Sequence, residues 1–235
     1  MMNYAHRGAS EYAPENTLSS FYLGLMQGAN GLETDVQKTR DGVLVLFHDE
    51  TLDRVTDHTG KVSDYTWEEL QRVKVYGNCT TGFYDRIISF REFLEKFASR
   101  EIQFAIELKG ENVERETLEL SKEFGIMERT TFTSFNYEYL ATAKRICPNA
   151  RVGWIVSNVT DEVIEKLQAI GAEEIVPKAD PLTDEQVKTC RAAGLGVRAC
   201  CVHTLALMRK MCEMGVDGMT VNFPDRLCEY LTFVK

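Results

Sequence analysis

Glu33 and Asp35 stand two residues apart, as do Glu107 and Lys109, and each pair closes an apolar run. On a β-strand, residues two apart share a face, so the members of each pair aim together. His6-Arg7-Gly8 closes an earlier run, and His48-Asp49 follows the Glu33/Asp35 pair after a turn. Three carboxylates, two histidines, an arginine and a lysine at one end of a sheet would suit a metal-assisted reaction on a phosphate group. Oxygen ligands without clustered cysteine or histidine favour a hard cation, Mg²⁺ or Ca²⁺, over zinc. Glu33, Asp35 and Glu107 are therefore the candidate metal ligands. His6 and His48 are the candidate general acid and base near neutral pH. Arg7 can grip phosphate bidentately and Lys109 can offset developing charge. His203, beyond a later strand, is a further candidate substrate-binding residue, with a surface position an equal reading. Singly, each feature has a plainer explanation: a salt-bridged strand end, or a hydrogen-bonded core histidine. The third carboxylate, arriving on another strand beside its own lysine, favours the metal site.

These residues need elements to position them. Strand-like runs occur at 2–6, 31–36, 103–108, 130–133, 151–155, 174–176, 196–201 and 218–221. Helical patterns follow at 17–29, 89–97, 113–124, 136–145, 161–170, 184–193 and 205–214, and an extra strand is expected at 43–47 after the turn Arg40-Asp41-Gly42. Eight βα units in a chain of 235 residues predict a (β/α)8 TIM barrel, whose active sites lie at the C-terminal ends of the strands. A doubly wound sheet is the competitor, but neither G-x-G-x-x-G nor a P-loop is present. Residues 1–235 read as one domain, interrupted at 49–87 by an insertion over the barrel mouth. Its Tyr65, Trp67, Tyr76, Phe83 and Tyr84 can wall a pocket or form a small core, the latter favoured for Trp67. Thr66–Val73 looks helical.

Composition narrows the function. Hydrophobic residues at 44% and charged residues at 27% are those of a globular protein. A formal charge of −9 argues against nucleic acid or an anionic membrane as the main partner. No run is long enough for a membrane span. The seven cysteines contain no C-x-x-C pair, which together with the absence of a recognisable signal peptide predicts reduced thiols in a cytoplasmic protein. Most lie in apolar runs and read as small core residues.

Taken together, His6-Arg7-Gly8, Pro14-Glu15-Asn16-Thr17, Gly31–Val36, Thr39–Gly42, Val45–Asp49, Leu52-Asp53-Arg54, Gly60, Glu107–Lys109, Ser134-Phe135 and Gly215–Gly218 resemble the glycerophosphodiester phosphodiesterase family. The resemblance runs nearly end to end and is densest in the first 60 residues. It implies a TIM-barrel enzyme that hydrolyses glycerophosphodiesters to sn-glycerol 3-phosphate and an alcohol with a divalent cation. Glu33, Asp35 and Glu107 would ligate the cation, and Arg7 and Lys109 would bind phosphate. His6 and His48 would be the acid/base pair acting through a cyclic phosphate, with His48 read as base and His6 as acid. Three segments depart from the pattern, the first being Ile87-Ile88-Ser89-Phe90, which lacks the usual proline. Cys200-Cys201-Val202-His203 stands where family members commonly carry W-T-V-N, and Asn222 where aspartate is frequent. A phospholipase D-like lyase acting on lysophospholipid or sphingomyelin is one alternative. A barrel that binds phosphodiesters without turning them over is the other.

Overall fold

The computed structural model describes residues 1–77 and 83–233. Eight parallel strands form its centre: β1 (Met2–His6), β2 (Gly31–Lys38), β6 (Gln103–Leu108), β7 (Thr130–Ser134), β8 (Arg151–Val156), β9 (Glu174–Pro177), β10 (Gly196–Val202) and β11 (Gly218–Val221). β1 pairs in parallel with both β2 and β11, so the sheet closes on itself and the doubly wound alternative is excluded. The (β/α)8 barrel is therefore observed, with helices between the strands: α1 (Leu18–Met26), α3 (Phe90–Phe97), α4 (Glu114–Glu123), α5 (Tyr137–Ile146), α6 (Asp161–Ala169), α7 (Asp184–Ala192), α8 (Leu205–Met214) and α9 (Pro224–Phe233).

The helix starts are written locally. Thr17, Ser89, Thr160, Thr183 and Thr204 each precede a helix in extended backbone, and each side-chain oxygen accepts a hydrogen bond from the N–H three residues on. That contact satisfies one of the amide donors that a helix start leaves unpaired. Phenylalanine then fastens the first helices to the barrel: Phe93 packs on Phe21 at 4.8 Å, Phe97 at 5.1 Å and Phe104 at 5.9 Å, and all four are fully buried.

The barrel interior is not wholly apolar. Arg198, 2% exposed, bonds Glu174 Oε2 through Nε and Nη2 at 3.1 and 3.0 Å, donates to Thr220 Oγ1 at 2.8 Å, and lies 5.0 Å over the Tyr4 ring. A buried charge is tolerable only when paired in this way. Arg198→Ala is expected to destabilise the fold by about 3–5 kcal/mol, because it strands the Glu174 carboxylate. Urea unfolding monitored by circular dichroism measures the loss.

Between β2 and α3 the chain makes its excursion. β3 (Leu44–Leu46) pairs antiparallel with the end of β2, and beyond it come α2 (Trp67–Leu70) and the antiparallel pair β4 (Lys74–Tyr76) and β5 (Tyr84–Arg86). Leu52, Val62, Leu70, Val73 and Val75 form a separate apolar cluster with Val45, Phe47 and Ile87, and Tyr65 and Trp67 pack against it. Trp67 thus belongs to a small core, whereas Phe83 and Tyr84 are half exposed. The α2 helix is shorter than the expected 66–73. The cysteines differ from expectation too. Cys190 is buried, but Cys147, Cys200, Cys201, Cys212 and Cys228 are partly exposed, all six as free thiols; Cys79 lies outside the described residues.

Candidate active site

Register brings the chemically competent residues together. Asp35 on β2 is the Cα partner of Glu107 on β6, and Glu33 is the partner of His6 on β1. Oxygen atoms of Glu33, Asp35 and Glu107 lie within 4.8 Å of one another, and all three residues are buried. Lys109 follows at the end of β6, with Nζ 3.1 Å from Glu107 Oε1 and 3.5 Å from Asp35 Oδ1. Arg7 Nε stands 3.3 Å from Asp35 Oδ2, and the Arg7 amide donates to Glu33 Oε2 at 3.0 Å.

The turn after β1 is built to present Arg7. Its backbone is left-handed, φ +53°, and so is that of Asn16, φ +57°, conformations that cost on the order of 1–3 kcal/mol each and persist only where the surroundings enforce them. The enforcement is visible: the Arg7 carbonyl accepts from the Asn16 amide at 3.0 Å and the Ser20 hydroxyl at 2.8 Å. The following Gly8, φ +81°, has no space for a side chain, since a Cβ there would come 2.4 Å from Ser20. Asn16 in turn donates to Asp35 Oδ2 at 2.9 Å and accepts from Thr34 Oγ1 at 2.8 Å.

The electrostatics are those of a crowded acidic centre. Burial and the neighbouring Asp35 charge push Glu33 up to about 8 and Glu107 up to about 7. Burial pushes Asp35 upward as well, but Arg7 and Lys109 outweigh it and hold this carboxyl below the usual range. Lys109 stays above its ordinary value against burial, because Asp35 and Glu107 face it. Two cations thus face three carboxylates. Asp35 Oδ1 is buried without a hydrogen-bond donor among the described residues, an arrangement rare in folded proteins unless something else binds there. Hard oxygen donors, net negative charge and an unsatisfied acceptor together fit a divalent cation.

The histidines flank this centre with different partners. His6 Nδ1 lies 2.6 Å from Asn222 Oδ1, across 216 residues of chain; with the amide oxygen as acceptor, Nδ1 is the donor and the neutral ring carries its free lone pair on Nε2. Burial, reinforced by the Arg7 charge, pulls His6 down to about 3. His48 Nδ1 donates to the Asp49 carboxylate at 2.5 Å. Burial lowers His48 too, with Arg7 and Lys109 adding to it and Asp35 and Asp49 opposing. Beside His48 and Lys109 lies a cavity of about 750 Å³, lined also by Gln37, Glu50, Lys61 and Tyr139.

A pH prediction follows from His6. In the unfolded chain the ring binds a proton near pH 6.5, whereas in the folded protein it does so only near 3. Between those values the unfolded state holds more protons, so this residue makes stability fall as pH drops, by at most about 1.4 kcal/mol per unit. Unfolding free energies of wild type and His6→Gln, compared at pH 4 and 6.5, should show the acid loss reduced in the variant.

The sequence-predicted residues Glu33, Asp35, Glu107, Lys109 and Arg7 converge, with His6 and His48 alongside. His203 is not among their hydrogen-bond or ion-pair partners; it is exposed past the end of β10. The sequence reading missed a bridge. Arg54 bonds both Asp49 oxygens, at 2.5 and 3.1 Å, and both Glu15 oxygens, at 3.0 and 2.6 Å, and Glu15 accepts from Arg7 Nη1 at 3.1 Å. One guanidinium thereby ties the carboxylate behind His48 to the carboxylate behind Arg7. The only signal was membership of Glu15 and Arg54 in the quoted motif segments.

A closed parallel barrel with an acidic centre, two histidines and two cations at its strand ends defines a class of barrel enzymes acting on phosphate esters. Residues 6–226 match the Glycerophosphoryl diester phosphodiesterase family, and the chain belongs to it. It is 34% identical over 236 residues to a glycerophosphodiester phosphodiesterase of Bacillus altitudinis, covering 95% of each chain. It is 31% identical over 231 residues to that of Caldanaerobacter subterraneus, covering 95% of this chain and 94% of the relative. Among solved structures, an Oleispira antarctica phosphodiesterase in complex with the product sn-glycerol-3-phosphate superposes with a TM-score of 0.87 at 28% identity, covering 99% of this chain and 97% of that one. Among the described residues no helix is long and apolar enough to cross a membrane.

Proposed function

We propose that this protein hydrolyses glycerophosphodiesters to sn-glycerol 3-phosphate and an alcohol, with Mg²⁺ or Ca²⁺. The observation that carries the reading is the buried Glu33, Asp35 and Glu107 cluster set between two histidines at the barrel mouth, in a chain of this family. These three carboxylates would hold the cation, which supplies charge neutralisation and acidifies a hydroxyl of the substrate. Arg7 and Lys109 bind the phosphate oxygens, and the cavity beside His48 receives the alcohol group. The described parts of the excursion, 49–77 and 83–87, would act as the insertion over the mouth, with Arg54 reaching Glu15.

The partners of the two rings support assigning His6 as base and His48 as acid, the reverse of the resemblance-based reading. His6, bonded to a neutral amide, is kept neutral with Nε2 free to accept. His48, bonded to a carboxylate, is the ring better able to carry a proton. His6 then takes the proton of the glycerol 2-hydroxyl as that oxygen attacks phosphorus. His48 protonates the departing alcohol, leaving a cyclic phosphate. In the second half-reaction His48 takes a proton from water, whose oxygen opens the ring, and His6 returns its proton to the 2-oxygen. Arg54 holds Asp49 and Glu15 in place for this exchange. Arg54→Ala is expected to lower kcat/KM about tenfold to a hundredfold, the usual scale for supporting partners of a reactive centre, with little change in thermal midpoint because the side chain is 46% exposed. Steady-state kinetics and a thermal melt of the same variant check it.

The six free thiols among the described residues fit a reducing compartment, read as the cytoplasm. The test of function is ³¹P NMR of glycerophosphocholine, glycerophosphoethanolamine and glycerophosphoglycerol incubated with the protein, with lysophosphatidylcholine and sphingomyelin in parallel. Growth of a glycerol 3-phosphate signal supports the reading. Cyclic phosphate accumulating from the lipids alone would replace it with the lyase. No turnover by folded protein would leave a binding barrel.

A further inference from the structure

The wall of the cavity beside His48 and Lys109 carries charges that can be accounted for one by one. The cavity opens between the excursion, which contributes Glu50, Lys61 and Ser63, and the loop 109–112 that follows β6. Lys38, Arg40 and Lys61 line it as well, and each has a partner of its own. Lys38 donates to the Asn112 carbonyl at 2.6 Å and pairs with Glu116. Arg40 donates to the Asp64 carbonyl at 2.6 Å and to Glu69 at 3.3 Å, and Lys61 pairs with Glu50 at 2.7 Å. Glu111 is the lining carboxylate that has neither a hydrogen-bond donor nor an ion-pair partner among the described residues. The three pairs cancel, so the uncompensated charge on this wall is the Glu111 carboxylate.

The backbone fixes where that carboxylate stands. The amides of Lys109 and Gly110 both donate to the Val36 carbonyl of β2, at 3.2 and 3.1 Å. Gly110 packs so closely on β2 that a Cβ there would come 3.0 Å from the Gln37 Cα. Asn112 is left-handed at φ +55°, a region that asparagine tolerates better than most residues, and Lys38 holds its carbonyl. Val113 beyond it is fully buried. Glu111 is therefore suspended between anchored neighbours and exposed at the cavity. Its Cα lies within about 7 Å of that of Lys109, the residue read above as a phosphate ligand.

We propose that the alcohol group of the preferred diester carries a primary ammonium, as ethanolamine does, and that Glu111 selects it. The proposal rests on the phosphodiesterase reading: with phosphate at Arg7 and Lys109 and the departing oxygen at His48, the alcohol extends into this cavity. An ammonium two carbons beyond that oxygen meets the Glu111 carboxylate, and hydrogen bonds between ionised partners are the stronger kind. A quaternary ammonium offers no N–H and is held by cages of aromatic rings, whereas Tyr139 is the single benzenoid ring in this lining. A neutral glycerol group leaves the Glu111 charge unanswered. An anionic group meets it as a like charge, and must break one of the three ion pairs to reach a free cation.

The experiment is competition among glycerophosphoethanolamine, glycerophosphocholine and glycerophosphoglycerol in one reaction, with the disappearance of each ³¹P signal giving ratios of kcat/KM. Wild type should favour the ethanolamine diester over the glycerol diester by about tenfold, the scale of one hydrogen bond to a charged group, with the choline diester between them. The margin should shrink in about 1 M salt, where exposed charges are screened beyond about 3 Å. Glu111→Gln should bring the ethanolamine-to-glycerol ratio near unity, and Glu111→Asp should keep most of it. A defect in folding or in the chemistry lowers all three rates together, so the ratio reports selection alone. The same ratio in wild type and Glu111→Gln, or a wild-type preference for the choline or glycerol diester, would overturn the proposal while the phosphodiesterase reading stands. No turnover of any of the three by folded protein would refute that reading, and this proposal with it.

Discussion

Glu107→Gln is expected to abolish cation-dependent turnover, with a loss of at least about a hundredfold, while making the cation-free protein more stable. The first effect follows from removing one of three carboxylates that converge within 4.8 Å. A neutral amide cannot supply the charge a hard divalent cation requires. The second follows from the strain those carboxylates place on each other. Glu107 is pushed up to about 7 by burial and by Asp35, so ionising it at pH 8 costs free energy that glutamine does not incur. The gain should be about 1–3 kcal/mol at that pH and smaller at pH 5.5, where the folded protein keeps the proton. Lys109 loses its 3.1 Å partner in the exchange but keeps Asp35 at 3.5 Å. Isothermal titration with Mg²⁺ and Ca²⁺, set beside urea unfolding at both pH values, reads the two effects together. A variant that binds cation normally would remove Glu107 from the ligand set.

His6→Ala is the second large effect, an expected fall in kcat of about 10²–10⁴, the range of a lost general base. The binding of phosphate by Arg7 and Lys109 remains, so KM should move much less. His48→Ala should cost a similar factor with a diagnostic difference. A diester whose leaving alcohol is already acidic, such as a nitrophenyl ester of glycerol phosphate, needs no protonation on departure. On that substrate His48→Ala should recover most of its activity and His6→Ala should not. Rescue of the His6 variant instead would reverse the two roles and restore the assignment first drawn from the resemblance.

Asn222 enters the same argument. Aspartate at that position would place a negative charge 2.6 Å from His6 Nδ1 and raise the ring's pKa. The amide found here keeps the ring neutral, which suits a base.

Much of this was legible in the chain because strand and helix patterns are local. β1 at Met2–His6, β6 at Gln103–Leu108, α8 at Leu205–Met214 and β11 at Gly218–Val221 follow directly from apolar runs and their punctuation. Glu33 and Asp35 could be paired because strand alternation is a property of two neighbouring residues. The convergence with Glu107 came from the expectation that barrel strands end at one face. What the sequence hid was non-local or conformational. The His6–Asn222 bond depends on β1 and β11 closing the barrel. Arg54 reaches Glu15 only once the excursion has folded back, and no periodicity encodes that reach. The Cys201 backbone, left-handed inside what reads as an ordinary strand, is set by the register shift against β11. His203 lies past the strand end and is exposed, in keeping with the surface position that was one of its two readings.

The most direct measurement of the central claim is glycerol 3-phosphate release from glycerophosphodiesters after exhaustive chelation, followed by back-titration with Mg²⁺ and with Ca²⁺. The buried carboxylate cluster predicts that chelation stops release and that one of these cations restores it, saturably and in one-to-one stoichiometry with the protein. Undiminished release from metal-free protein would contradict it, because Glu33, Asp35 and Glu107 would then be a structural cluster and not the centre of the chemistry.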